Sequence, residues 1–242
     1  MPSDQQPLPF QLINAFAATP RAGNQAAVVV VPKDDPRATD AKFMQAVAKD
    51  FNLSETAFLV PHGSSEGVPK YGLRWFTPAA EVPLCGHATL AAATTLFNSY
   101  EPTATKLEFE TKFVGPLYAT LESERGQGVQ IGLDLPIGKA EVGELTEGYA
   151  TLAANAAGLR PEQVLRHAEF DFGGPSVIVQ LDPTVDLATL KPDIDILVPD
   201  VTQYTQVLSA KDGRVQVTNR VFAPNLGIDE DPVVSCPAVA CN

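Results

Sequence analysis

Two stretches of this sequence share one skeleton: RWFTPAAEVPLCGH at residues 74–87 and RVFAPNLGIDEDPVVSC at residues 220–236. Each reads R-x-F-x-P, then a loop, then E-x-P followed by an aliphatic residue. Arg74 and Arg220 stand 146 positions apart, more than half of the 242 residues. Self-similarity over such a distance is the mark of a duplicated unit. Alternating residues before each proline, such as Tyr71, Leu73 and Trp75, read as a strand. In the first copy the loop runs into His87–Phe97, alanine-rich and apolar nearly all round, which reads as a buried helix. A duplicated strand–loop–helix unit sets the expected architecture: α+β, two similar β-rich domains each wrapping a central helix. The boundary is expected near Pro136–Ile137–Gly138, giving domains of 1–134 and 135–242.

Working outward, Phe10, Leu12 and the run Ala26–Val31 flank a turn at Gly23–Asn24 and read as strands. Asp40 is placed to cap a helix carrying Phe43, Val47 and Phe51 at helical spacing. Asn52–Glu55 reads as the loop leaving that helix and Thr56–Val60 as the next strand. In the second half, Thr146 is expected to cap a helix ending at Gly158. Val185–Leu190 reads as a short helix, and Pro175–Leu181 and Val215–Phe222 as strands. Only five residues follow the second repeat's loop, against an apolar helix of about a dozen after the first. The second domain is therefore expected to be truncated, to lack its central helix, and to be looser than the first.

Composition narrows the function classes. Charged residues give a net −12, a field that repels nucleic acid and anionic lipid at long range yet permits a local site for a small anion. No apolar run reaches the ~18 residues of a membrane span, and the first nine residues lack the basic-then-apolar pattern of a secretory signal. Three cysteines (Cys85, Cys236, Cys241) read as free thiols in a reducing, cytoplasmic compartment. The three histidines (His62, His87, His167) are scattered and no Cys/His cluster has zinc spacing, so no metal site is expected.

Two segments could carry chemistry. At Leu84–Cys85–Gly86–His87–Ala88–Thr89 a loop becomes a helix. The first N–H groups of a helix lack intrahelical acceptors and favour an anion such as a carboxylate, although many helix starts bind nothing. At Asn52–Leu53–Ser54–Glu55–Thr56, Glu55 is either a solvated loop carboxylate, as most glutamates are, or a buried acid–base group. A carboxylate that takes a proton from carbon needs a raised pKa, which burial would supply.

Six blocks, in order, resemble the PhzF-like family. They are Asn14–Ala15–Phe16, Gly23–Asn24 with Ala26–Ala27–Val28, Asn52–Leu53–Ser54–Glu55–Thr56, Arg74–Trp75–Phe76–Thr77–Pro78, Cys85–Gly86–His87–Ala88–Thr89, and Phe222–Ala223–Pro224 with Glu230–Asp231–Pro232–Val233. The resemblance implies a diaminopimelate-epimerase-like fold and a cofactor-independent isomerase acting on a small carboxylate-bearing substrate, with a homodimer as the assembly considered. In the phenazine-pathway member, a glutamate moves a proton within a hydroxylated dihydroanthranilate. That glutamate matches Glu55, with His87 and Asp231 as helpers; Asn24, Ser54, Gly86 and Ala88 match positions lining the site. The sequence departs from the family where Gln25 replaces a proline and where Val234–Ser235–Cys236–Pro237 replaces a T-G-S-A turn. Two alternatives stand beside this reading: a two-thiol racemase using Cys85 and Cys236, and a degenerate binding or self-associating protein.

Overall fold

The structure, a computed structural model, describes residues 6–17, 19, 22–122, 130–136, 141–143, 148–171, 174–209 and 215–231. The chain divides into two compact units at residues 137/138. The expected helix cap at Thr146 and the turn at Val234–Pro237 lie outside the described residues.

The first unit contains β1 (Phe10–Ala15), β2 (Asn24–Val30), α1 (Ala41–Phe51), β3 (Glu55–Ser65), β4 (Val68–Phe76), β5 (Glu81–Val82), α2 (Gly86–Thr95), β6 (Lys106–Thr111), β7 (Pro116–Leu121) and β8 (Ile131–Asp134). They form one sheet in the order β1-β2-β3-β4-β6-β7-β8, with β5 paired to β4. Asp40 caps α1, its side chain accepting from the N–H groups of Lys42 and Phe43, which satisfies two of the helix's first donors. Asn52, left-handed at φ 51, closes it and turns the chain directly into β3.

Side-chain alternation in strands decides which helix each residue meets. Val29 and Phe58 share one face and pack with Met44 and Ala48 of α1. Val28 and Ala57 share the other, as do Asn24, Ala26 and Glu55, and this face receives α2. Strands β1, β2, β3 and β8 all touch α2, whose Ala88, Ala91, Ala92, Ala93 and Leu96 are buried. Its small residues, four alanines and three threonines among ten, let the strands approach closely, and its threonines are buried or half-buried with the rest. It runs on into a π-helical turn at Leu96–Tyr100.

The second unit contains β9 (Glu141–Gly143), α3 (Tyr149–Ala156), β10 (Val164–Asp171), β11 (Pro175–Leu181), β12 (Val201–Ser209), β13 (Val215–Ala223) and β14 (Ile228–Asp231), in the order β14-β13-β12-β11-β10-β9. Within it, β10–β14 repeat the pairing of β1–β5: antiparallel, parallel, antiparallel, antiparallel. The repeated sequence has a repeated structure. Arg74 forks onto Glu81 at 2.7 and 2.8 Å, and Arg220 onto Glu230 at 2.6 and 2.8 Å. Each guanidinium also lies 5.1 Å from the ring centre of the phenylalanine two residues on. Phe76 meets Phe58 edge-on at 5.6 Å, as Phe222 meets Tyr204 at 5.8 Å.

The helix α3 covers the sheet face of Val177, Val179, Leu181, Tyr204 and Phe222, and the Tyr204 hydroxyl donates to Ala153 O at 2.7 Å. By its aromatic pair, this is the face that α1 covers in the first unit. The central helix that the second domain is expected to lack would lie on the opposite face, so α3 does not take its place. The other face bears Gln203, hydrogen-bonded to Thr205 at 2.8 Å, and α3 does not lie on it. Val185–Leu190 forms only a 3-10 turn, Leu187–Thr189, started by Asp186. Among the described residues no helix is long and apolar enough to cross a membrane.

Candidate active site

Three segments of the first unit converge at the first turn of α2. The strands β2 and β3 run parallel with Ala26 opposite Glu55, so both start at the same end of the sheet. Asn24 opens β2 and Glu55 opens β3 on the face that α2 covers. Gly23 makes the approach to β2 possible. Its φ is +100°, and a Cβ there would lie 2.3 Å from Ala15 O, so glycine alone fits.

His87, the second residue of α2, is 2% exposed and Glu55 is 7% exposed. His87 Nε2 lies 3.3 Å from Glu55 Oε2 and 3.3 Å from Ser54 Oγ. On its other side, Nδ1 lies 3.3 Å from Asn24 Nδ2 and 3.2 Å from Cys85 Sγ. The Ser54 hydroxyl donates to Asn24 Oδ1 at 3.0 Å. Burial pulls the His87 pKa down from 6.5 to about 4, because desolvation disfavours the charged ring. At neutral pH the ring is neutral, so the 3.3 Å Glu55–His87 contact is not an ion pair.

Cys85 is the N-cap of α2, in extended conformation, and its side chain makes no capping bond. The N–H groups of Gly86, His87 and Ala88 thus begin the helix without the usual side-chain acceptor. Gly86 is half-buried and Ala88 buried, so both can contribute backbone N–H only.

One donor atom each from Glu55, Cys85 and His87 lies within 4.8 Å of the others, close enough to consider an ion. The contacts are divided between the two ring nitrogens, however, the thiol at Nδ1 and the carboxylate at Nε2. A neutral imidazole gives one lone pair to one ion, so a shared metal would break one of these contacts, whereas the ring's hydrogen bonds engage both nitrogens, Nε2 with Ser54 and Nδ1 with Asn24 and Cys85.

Glu55, His87, Ser54, Asn24, Gly86 and Ala88 are therefore assembled in one unit, while Asp231 lies half-buried at the end of β14 in the other. Cys236 lies outside the described residues. Sequence reasoning gave Cys85 as a free thiol or, with Cys236, as a racemase base, and missed its contact with the imidazole. The C-x-H spacing across a helix start was the available signal, since an N-cap side chain turns toward the first turn.

Two duplicated β-rich units, the first wound on a helix whose start holds a buried carboxyl–imidazole pair, define an α+β class of epimerase-like proteins. Within that class, the chain belongs to the phenazine biosynthesis-like (PhzC–PhzF) family, whose profile matches residues 13–241. A protein of Pseudomonas aeruginosa named an uncharacterized isomerase is 36% identical over 227 residues, covering 93% of this chain and 77% of the relative. The phenazine biosynthesis-like domain-containing protein 2 of Mus musculus is 35% identical over 242 residues, covering 93% of this chain and 79% of the relative. The crystal structure of a PhzF-family protein from Enterococcus faecalis superposes with a TM-score of 0.68 at 32% identity, covering 94% of this chain and 78% of that one.

Proposed function

We propose that this chain is an isomerase that moves a proton at carbon on a small carboxylate-bearing substrate, with Glu55 as base and then acid. The observation that carries the reading is a buried carboxylate 3.3 Å from a neutral imidazole at the start of α2. Glu55 removes the proton from a carbon conjugated to the substrate's carboxylate or to a ring double bond, and the electron pair passes into that system. The protonated Glu55 then returns the proton at the same or a conjugated carbon. Nothing is oxidised or reduced, so no cofactor is called for. The first N–H groups of α2 hold the anionic group as charge develops, a fixed-dipole effect that grows in the transition state.

The test is solvent deuterium incorporation in D2O, read by proton NMR, into a panel of hydroxylated dihydroanthranilate and small unsaturated or α-substituted carboxylates. Glu55→Gln keeps shape and removes the proton acceptor. Exchange should fall by about 10²-fold or more, the usual scale of acid–base catalysis. Unchanged exchange in this variant would discard Glu55 as the shuttle.

A second reading, thiol-based racemisation, is favoured by one observation, the 3.2 Å approach of Cys85 Sγ to His87 Nδ1.

A further inference from the structure

We propose that the first unit holds a second small-molecule site, on the face of its sheet opposite Glu55 and His87, and that this site takes a planar monoanion, an aryl carboxylate. The proposal is independent of the reading of Glu55 as the shuttle. A cavity of about 640 Å³, open to solvent, lies beside α1, within the size range of small-molecule sites.

Two cross-strand rows make the floor. Val60 stands opposite Gly72 and Gly72 opposite Glu110, while Phe58 stands opposite Arg74. Met44 of α1 and Ala38 close one side. A glycine inside a strand gives up side-chain packing and marks a close approach. At Gly72 the room is taken by His62, since a Cβ there would lie 2.9 Å from the imidazole. Between Val60 and Glu110 the floor is therefore bare backbone with a flat ring against it. That ring is fixed by the contact of Nδ1 with Glu110 at 3.1 Å, yet 35% of its side chain is exposed. A flat ligand covers such a surface more completely than a branched one.

The charge of the lining selects an anion. The chain carries −12, yet Lys33, Arg74 and Lys112 line this cavity against one acid among the described residues, Glu110. Glu110 is already engaged by His62 and by Lys70 at 3.4 Å. Outside the lining, Glu81 takes both Arg74 at 2.7 Å and Lys112 at 3.0 Å, so one carboxylate answers two cations. Lys33 is exposed and enters no ion pair among the described residues. The Lys112 side chain is 54% exposed and can turn from Glu81 to a ligand, because Arg74 still holds Glu81. A carboxylate between Lys33 and Lys112 meets a cation on either side while its ring lies against Phe58, Gly72 and His62. A second negative charge on the ligand would meet Glu110 on the floor.

The experiment is proton–nitrogen NMR of the full chain titrated with 2-naphthoate and, separately, with its neutral analogue 2-naphthalenemethanol. Naphthoate should shift the amides of Val60, His62, Gly72 and Lys112 saturably, with a Kd of about 1 mM or below, the level for a ligand of this size. The alcohol should bind about tenfold more weakly. Lys33→Glu combined with Lys112→Gln changes only exposed side chains and should weaken naphthoate about fivefold, the scale of losing two exposed ion pairs. Gly72→Val fills the floor and should abolish the shifts; should it not fold, the lysine variant decides alone. Equal binding of the alcohol, or undiminished binding in the lysine variant, would overturn the assignment of an anion. Shifts confined to Gly86, His87 and Ala88 would show that naphthoate takes the start of α2 only, and would overturn the second site. No saturable shift at the four amides would overturn it as well. The readout is resolved by residue and needs no turnover, so its failure is distinct from any failure of Glu55 as the shuttle.

Discussion

His87 gives the site a pH signature that needs no substrate. Its pKa in the folded chain, about 4, lies below the ordinary 6.5 because the ring is desolvated. As pH falls, the unfolded chain binds this proton first, so the folded state loses ground. The stability tied to a neutral His87 is complete above about pH 6.5, declines between there and about 4, and is lost below. At 1.36 kcal/mol per unit it amounts to at most about 3 kcal/mol. Urea unfolding at intervals from about pH 7 to 4 should show a fall in wild type that flattens in His87→Gln; equal slopes would mean that the ring is not held neutral. Cys85 separates the two chemistries. If Glu55 is the shuttle, Cys85→Ala should keep most deuterium exchange, while a folded variant without exchange would favour the thiol. Glu55 and His87 were legible in the sequence through their blocks. The burial of Asn24 was not, because it depends on β2 and β3 starting together beneath α2, a parallel register that local sequence does not state. Nor was the direction of the Cys85 side chain, set by its place at the N-cap.

At the scale of elements, the R-x-F-x-P repeat proves to be a structural device rather than a catalytic one. In each copy the arginine stacks on the phenylalanine of its own strand and forks onto the glutamate of the next, fixing β5 to β4 and β14 to β13. Burial pushes the Glu81 pKa up, but Arg74 and Lys112 outweigh it and the net shift is downward. The two copies differ in what else they hold. Glu81 keeps Lys112 at 3.0 Å if Arg74 is lost. Arg220 also donates to the carbonyls of Leu187 and Leu190, which anchors the 3-10 segment beneath the second core. Arg74→Met should cost about 1–2 kcal/mol, the scale of a charge-assisted bond partly replaced, and Arg220→Met roughly twice that, since two carbonyls lose their donor. Amide exchange on β4 and β13 reads each unit separately; equal losses would show that the carbonyl contacts contribute little. The duplication was legible because the motif residues pair with one another. The helix over Val185–Leu190 was misread because its apolar spacing suits a 3-10 turn pinned by Arg220 as well as it suits an α-helix.

At the scale of the whole molecule, the division into two units has a consequence for folding. Among the described residues every strand pairing stays within its own unit. The first unit closes its own interior. The helix α2 is enclosed by β1, β2, β3 and β8, and Val29, Met44, Phe58 and Phe76 form a second core beneath α1. Burying one such side chain contributes about 1.5–3 kcal/mol, and both of these cores are built wholly from residues of the first unit. The buried contacts of His87 named above, to Asn24, Ser54, Glu55 and Cys85, are also made inside this unit. A chain cut after Pro136, which keeps β8, should therefore fold alone, show protected amides in β2, β3 and α2, and give the same His87 nitrogen signals as the full chain. A chain cut after Leu121 removes β8 from the side of α2 and should lose that protection. Should the chain ending at Pro136 show free exchange throughout, the first unit would depend on residues beyond it, and the self-contained core argued here would be wrong.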